Sequence, residues 1–363
     1  NSICQGQQAT TLWATLFSEG VHINFAHRTF RWDSEASIKA HVHCIIVGFS
    51  YHKSLNSRLF DSLGNVKLVE NINQYLTDAP TVIIESRSNP LCAVPHIRFG
   101  SMPRDGGGFI LNESEKDELI AREPLSKQWI HLYLGAEEFL KNKKRYCLWL
   151  LGANPAEISK CPTVKARIQS VRDFRLASKA AGTRKFAETP SLFCQIAQPR
   201  TGCYIAVPKT SSERRRYIPL GFLDASVIAS DLLFLIPDAA LFHFGVLESN
   251  VHMAWMRTVC GRLKSDYRYS KDIVYNNFPW PTPTNAQKAK IEQTAQAILD
   301  ARALYPDCSL ADLYDEATMP PELRKAHQQN DRAVMEAYGM PVKGTTEAAC
   351  VAELMKRYQE LTC

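Results

Sequence analysis

A chain of 363 residues can hold two or three domains with real cores, and its 45% hydrophobic and 22% charged content is that of an ordinary globular protein. The longest apolar runs, Cys44–Val47 and Leu232–Pro237, are far too short to span a membrane. The net charge of +6 is uneven: thirteen Lys/Arg stand against three Asp/Glu between Lys160 and Arg216, and five against one between Arg257 and Lys271, so the remainder is net acidic.

A basic middle in such a frame suits one surface that faces a polyanion. A solvated charge face satisfies the same count equally well. The chain opens Asn-Ser-Ile-Cys-Gln-Gly, with neither a Met nor a basic leader, so no signal peptide is expected and the opening reads as the inside of a motif. Eleven cysteines, scattered and without a Cys-x-x-Cys pair, fit reduced, individually buried thiols and a cytoplasmic location better than a disulfide framework or a zinc site.

In chain order, residues 1 to about 50 read as helix, strand, loop, helix, strand. Gln5–Phe17 is helix-like, Val21–Phe25 alternates, and Val42–Phe49 is a continuous apolar run of buried-strand type. That alternation predicts the edge of an α/β sheet. Residues 51–105 are loop-rich, with one apolar run at Thr81–Ile84. Asp105-Gly-Gly-Gly108 reads as a turn, and Asn112-Glu-Ser-Glu115 as a helix start capped by Asn112 or Ser114. Residues 113–190 are expected to be mainly helical. Residues 191–245 are expected to be β-rich, with runs at Leu192–Ile196, Tyr204–Pro208, Tyr217–Phe222 and Leu232–Ile236. His252–Leu263 returns to helix, and Phe278-Pro-Trp-Pro-Thr-Pro283 marks a boundary. Beyond it, Lys288–Leu304 places Ile291, Ala295, Ile298 and Leu299 on one helical face, and helices are expected at Pro321–Tyr338 and Thr346–Leu361.

No self-sufficient active site is legible. The run Asp105–Gly108 has no feeding strand and no G-x-G-x-x-G spacing, the ten histidines form no compact ligand set, so no metal site is expected, and there is no G-x-S-x-G elbow. Two stretches suit nucleic acid. In Pro208-Lys-Thr-Ser-Ser-Glu-Arg-Arg-Arg-Tyr217, Lys209, Ser211, Ser212, Arg214, Arg215 and Arg216 combine short hydroxyls with long cations, a mixture that suits phosphate contacts or an ordinary basic hairpin loop. In the stretch from Arg257 to Ser270, an extended chain would project Arg262, Lys264, Asp266 and Arg268 to one side. Lys264 donating to guanine while Asp266 accepts from cytosine would read one G·C pair. A local Lys–Asp ion pair on a surface strand satisfies the same spacing. At the front, Phe30-Arg-Trp32 is expected in a loop between sheet elements, where exposed aromatics could stack an extruded base or simply fill core.

Several long motifs, in order, carry a resemblance. Asn1-Ser-Ile-Cys-Gln-Gly-Gln-Gln8 resembles the motif that follows the catalytic Asn-Pro-Pro-aromatic box of γ-class adenine methyltransferases. Phe25-Ala-His-Arg-Thr-Phe-Arg-Trp32, then Glu35-Ala36 and Val42–Phe49, is similar to the last motifs of that catalytic domain. Arg145–Trp149, Val171–Arg175, Ser211–Pro219, His252–Arg257 and Tyr275–Pro281 together resemble the target recognition domain of MmeI-like restriction-modification enzymes, and Leu310–Tyr314 with Met319–Ala326 resembles their C-terminal helical region.

The resemblance implies methyl transfer from S-adenosylmethionine to the amino group of a flipped adenine in double-stranded DNA. It implies that Phe30 or Trp32 stacks on that base and that the region of Lys264 and Asp266 reads bases. Arg262 and Arg268 are candidate readers beside them, and Arg257 and Tyr269 are candidate DNA-backbone contacts with the loop residues above. Relatives carry the cofactor motif and the Asn-Pro-Pro-aromatic box, often also a nuclease domain, upstream of this region. No complete catalytic set is therefore expected here, and no tight S-adenosylmethionine binding. The expected fold is mixed α/β (α+β). Residues 1–105 would form the edge of a Rossmann-like methyltransferase sheet with a connecting segment, 106–283 the recognition domain, and 284–363 a helical region. The whole would be cytoplasmic, read duplex DNA and work with upstream methyltransferase domains. A stand-alone specificity subunit serving a separate catalytic chain, or an inactive remnant, satisfies the same motifs.

Overall fold

In the computed structural model, the structure describes residues 2–33, 41–61 and 63–362. The first part of the chain holds α1 (Gly6–Ser18), β1 (His22–Asp33), β2 (His41–Ser50), β3 (Ser57–Phe60), β4 (Val66–Val69) and β5 (Arg98–Phe99). There follow β6 (Ile110–Leu111), α2 (Glu113–Arg122), β7 (Ile130–Leu134), α3 (Ala136–Lys141), β8 (Tyr146–Leu148), α4 (Pro155–Ile158), α5 (Pro162–Leu176) and α6 (Ala181–Lys185). Next come β9 (Cys203–Pro208), β10 (Thr210–Ser211), β11 (Gly221–Asp224), β12 (Ile228–Ala229), β13 (Leu233–Pro237), α7 (Leu241–Leu247), α8 (Asn250–Val259), β14 (Gly261–Leu263) and β15 (Asp266–Arg268). The chain closes with α9 (Asn285–Ala303), α10 (Leu310–Leu313), α11 (Pro321–Ala337) and α12 (Glu347–Thr362).

These elements make a mixed α/β architecture of small sheets and packed helices. The first sheet runs β2-β1-β3-β4, with β1 antiparallel to β2 and parallel to β3. The others run β11-β9-β13-β5, β12-β7-β8-β6 and β10-β15-β14. One hydrophobic core joins α1 and the first sheet to α8, the 273–280 segment and the C-terminal helices. A second core gathers Phe109, Trp129, Cys147, Val171 and Phe193. Among the described residues no helix is long and apolar enough to cross a membrane.

Local chemistry explains the helix boundaries. Asn112 caps α2, its side chain accepting from Glu115 N while the Glu115 carboxylate accepts from Asn112 N, a reciprocal capping box. Thr284 and Gln287 do the same for α9, directly after the proline-rich segment. On α9 the stripe Ile291, Ala295, Ile298 is buried, and Leu299 is partly buried at its flank.

Several expected elements take a different form. Phe30-Arg-Trp32 lies in β1, because β1 pairs with β2 as far as Asp33↔His41. Val42–Phe49 is strand, but β2 is an edge and exposes Ile46 and Phe49. The helix expected before it and the Glu35-Ala36 motif lie outside the described residues. Thr81–Ile84 buries Val82 and Ile84 without joining a sheet, and Leu192–Ile196 contributes only a bridge from Gln195 to Met102. Of Tyr217–Phe222 only the end enters β11. Strands β7 and β8 interrupt the segment expected to be helical, and α7 the segment expected to be β-rich. Cys203 and Cys308 are exposed, so the thiols are not all buried.

The basic middle is also less uniform than its count. Arg175 is fully buried and donates to five carbonyls, those of Pro103, Arg104, Phe186, Thr189 and Leu192. It stitches the 103–104 loop to the 186–192 turn, because a buried guanidinium needs every donor met. The Tyr275–Pro281 motif is likewise structural: Tyr275 Oη donates to Pro95 O, Asn276 to Arg87 O, and Asn277 to Glu85 O.

Candidate nucleic-acid interface

The two basic stretches meet in one small sheet. Strand β10 pairs with β15 through Thr210↔Arg268 and Ser211↔Tyr267, and β15 pairs with β14 through Gly261↔Arg268, Arg262↔Tyr267 and Leu263↔Asp266. Helix α8 stops at Val259, and the chain that follows is a hairpin rather than the single extended strand expected. Lys264 and Ser265 make its two-residue turn. Lys264 has φ +58°, the sign required at the first turn residue of a type II′ turn, where glycine is favoured.

The turn rearranges the four candidate readers. Residues directly opposite in a hairpin share a face. Arg262 therefore faces inward with buried Tyr267, while Leu263, Asp266 and Arg268 lie on the outer face with Lys264 at the tip. Arg262 is fully engaged: its guanidinium stacks 4.0 Å over the Tyr267 ring, and Nη1 donates to Ser265 O at 2.7 Å and reaches Glu213 at 3.5 Å. It braces the turn. Lys264 and Arg268 are exposed and have no side-chain hydrogen bond or ion pair among the described residues.

The 209–216 loop shows the same division. Arg214 and Arg216 are exposed; Arg215 is half-buried, within reach of Ser211 Oγ at 3.5 Å, and burial lowers its pKa from the ordinary arginine value. Ser211 is 2% exposed and Tyr269 3%, the latter with its hydroxyl 2.9 Å from His252 Nε2, so neither presents a donor to a backbone outside the fold. Arg257 is committed as well. It forms two 2.9 Å hydrogen bonds to the Glu347 carboxylate and a third from Nη1 to Arg216 O. Burial opposes the Arg257 charge, but bonding and attraction to Glu347 outweigh it and its pKa ends above the usual arginine value. The pair ties the end of α8, the basic loop and the first turn of α12 together.

Two cavities share that pair as a wall. One of about 480 Å³ is lined by Arg214, Arg215, Arg216, Tyr267 and Glu347 among others. The other, of about 360 Å³, brings Cys4, Arg28, Thr29 and Ile45 of the first sheet region against Arg257, Arg262 and Tyr267. Arg28 was not foreseen. The register of β1 on β2 shifts between His27↔Ile46 and Phe30↔Cys44, so Arg28 and Thr29 together oppose Ile45 in a β-bulge that re-aims them. Arg28 Nε donates to Leu76 O, and burial lowers its pKa. Spacing in the sequence gives no signal of a bulge.

Beyond the bulge, Phe30 and Trp32 share a face with ring centroids 6.2 Å apart. Phe30 is half-buried, whereas Trp32 is 56% exposed. Behind the loop lies a buried polar network. Tyr217 Oη donates to Asp331 and its ring stacks on His327 at 4.1 Å, while Arg302 binds the buried Glu248 at 2.7 Å and the Leu220 carbonyl. Each buried charge has a partner, as the low-dielectric interior demands.

The glycine run Asp105–Gly108 is a turn with Gly106 and Gly107 at positive φ, packed against Phe174 and Val171 of α5. It does not fit an S-adenosylmethionine-binding loop, which needs a feeding strand and an open backbone.

Comparison with known proteins follows this layout. A family model described as the MmeI DNA-methyltransferase domain matches residues 1–61, one described as the MmeI target recognition domain matches 78–282, and one described as the MmeI C-terminal domain matches 283–363. DNA methyltransferase A of Bacillus subtilis (strain 168) is 39% identical over 363 residues, covering 100% of this chain and 41% of that protein. The solved structure of the type IIL restriction-modification enzyme MmeI in complex with DNA superposes with a TM-score of 0.91 at 46% identity, over 99% of this chain and 49% of that one. The chain thus spans under half the length of both relatives.

Proposed function

The chain belongs to the MmeI family, with the family's target recognition domain as its largest matched part, and from that membership we propose that it reads duplex DNA sequence on behalf of an S-adenosylmethionine-dependent adenine methyltransferase. The observation that carries the reading is the hairpin. It projects Lys264, Asp266 and Arg268 outward from a support fixed by Arg262 on Tyr267 and by β10 pairing. A short rigid ribbon with mixed-sign side chains suits base edges in a major groove.

In this reading Lys264 and Asp266 contact bases with Arg268 beside them, and Arg262 holds the turn. Arg214, Arg216, Ser212 and Lys209 contact phosphates. Ser211, Tyr269, Arg257 and Arg215 support that surface from within. Phe30 or Trp32 stacks on the extruded adenine. The division at 105 and 283 belongs to the same proposal.

The methyl donor would bind upstream methyltransferase segments, and the exposed apolar face of the first sheet supports that reading. Phe25, Ile46, Val66 and Leu68 share one sheet face through the pairs Phe25↔Arg58↔Leu68 and Ile46↔His27↔Phe60↔Val66, and all four are exposed. Apolar side chains on a sheet face call for a covering layer. A cytoplasmic setting is part of the same reading. Competition binding at moderate salt tests it: Lys264→Ala should relax preference at one base pair and cost about 1–3 kcal/mol there. A uniform loss for all sequences would make Lys264 a phosphate contact instead.

A further inference from the structure

Strand β5 is the outer strand of the sheet β11-β9-β13-β5, and it carries Phe99 at 36% exposure beside the exposed Arg98. An exposed phenylalanine on a sheet edge is an unusual placement for a residue that the core does not need. Phe99 nevertheless packs on the core, its ring 5.0 Å from that of buried Phe234. Two lysines converge on it: Lys209 Nζ lies 4.8 Å from the Phe99 ring centre and 5.7 Å from that of Phe234, and Lys271 Nζ lies 5.6 Å from Phe99.

The Lys209 stem is pinned at both ends of its backbone, with its N–H bonded to Leu232 O and its carbonyl accepting from Tyr269 N. Lys271 opens the π-helical turn Lys271–Tyr275, capped by Ser270; such turns are frequent at functional sites. The charges do not cancel. Lys209, Arg268 and Lys271 outnumber Asp272, which pairs with Lys271, and Asp231, which attracts Lys209 from beyond ion-pair distance. Burial pulls the Lys209 pKa below the ordinary lysine value, a cost that an anion beside it offsets.

We propose that Phe99, with Lys209 and Lys271 on its ring, forms a second grip on the DNA phosphate backbone, continuous with the reading hairpin through Arg268. An aromatic face orients an ammonium without neutralising it, unlike a carboxylate, so Lys209 keeps its charge for a phosphate oxygen, while Lys271 shares its ammonium between Asp272 and the ring. Continuity follows from pairing: Thr210, next to Lys209, stands opposite Arg268. The inference rests on the DNA-reading proposal and extends it to Phe99, which lies outside both basic stretches, and to Lys271 at the end of the second.

The test is the salt dependence of duplex binding by the 363-residue chain. Lys209→Gln should reduce the slope of log K against log salt by about 0.9, Lys271→Gln by less because Asp272 already partners its ammonium, and both should leave sequence preference intact. Phe99→Leu, which keeps an apolar edge residue, should weaken all sequences alike through the released lysines. Lys290→Gln, on α9 and paired with Glu336, should change nothing. Unchanged slopes for Lys271→Gln and Lys209→Gln, with wild-type preference still present, would overturn this inference alone. A wild-type chain without sequence preference would overturn the reading beneath it. Thermal unfolding of each variant separates lost binding from lost fold.

Discussion

The backbones of Gly6 and Gly261 touch: a Cβ on Gly6 would stand 3.2 Å from both N and Cα of Gly261. Gly6 opens α1, in the methyltransferase-matched segment, and Gly261 opens the β14–β15 hairpin. Gly6 also has φ +52°, which disfavours any side chain. This contact sets the hairpin's position relative to the first sheet. Gly6→Ala should cost about 1–2 kcal/mol from backbone strain alone, and more from the clash. Gly20→Ala, at φ +87° with open space around it, measures the strain by itself. Gly261→Ala should be nearly neutral, because a Cβ there meets nothing within 4 Å. Urea unfolding of the three variants checks the order.

The hairpin turn makes a second prediction. Lys264 holds a positive φ that glycine adopts freely. Lys264→Gly should therefore stabilise the fold by roughly 0.5–1 kcal/mol while losing preference at one base pair. The two readouts move in opposite directions. Equal stability with unchanged preference would show that the side chain and its strain serve nothing.

The Arg257–Glu347 pair predicts coupling between the C-terminal helices and the basic loop. Arg257 also holds Arg216 O, so Glu347→Gln should loosen residues 212–216 and weaken binding to all sequences alike. A double-mutant cycle of Arg257→Gln with Glu347→Gln should give about 0.5–1 kcal/mol of coupling in folding, the scale of a partly exposed pair. Additive effects would contradict the tie.

Acid stability should depend on His252. Desolvation in the core pushes its pKa down to about 3 from 6.5. The unfolded chain therefore binds more protons between these values, and stability falls as pH drops from 6.5 toward 3. Glu248, raised to about 7, and Asp331, raised to about 6, both by burial, act with the opposite sign in overlapping windows. The difference between wild type and His252→Gln isolates the histidine. Wild type should lose more stability than the variant between about pH 7.5 and pH 5; parallel curves would contradict the buried neutral imidazole.

Much of the fold was legible where amphipathic periodicity is long. Helices α1, α9, α11 and α12 fall where the apolar spacing puts them, and the Asn112 cap and the Asp105–Gly108 turn follow from side-chain chemistry. Short strands such as β7 and β8 escaped, because three to five residues carry too little alternation to outweigh helical neighbours. The residues proposed to read DNA stand out in the sequence, but the geometry expected for them differs from the structure. Lys264-Ser265 lacks the Asn-Gly or Asp-Gly signal of a two-residue turn, so 262–268 read as one extended strand and Arg262 was placed outward. Counting charges could not separate Arg175, which staples carbonyls, from Arg214, which faces solvent. The bulge at Arg28–Thr29 depends on pairing with β2, a non-local contact that no local pattern records.

A hairpin that reads DNA should give this chain a preferred sequence. The most direct measurement is selection of bound duplexes from a random-sequence pool at moderate salt, with wild type and Lys264→Ala in parallel. The expected result is one enriched sequence for wild type and loss of discrimination at a single position for the variant. An unenriched pool for wild type, or identical enrichment for both proteins, would contradict it.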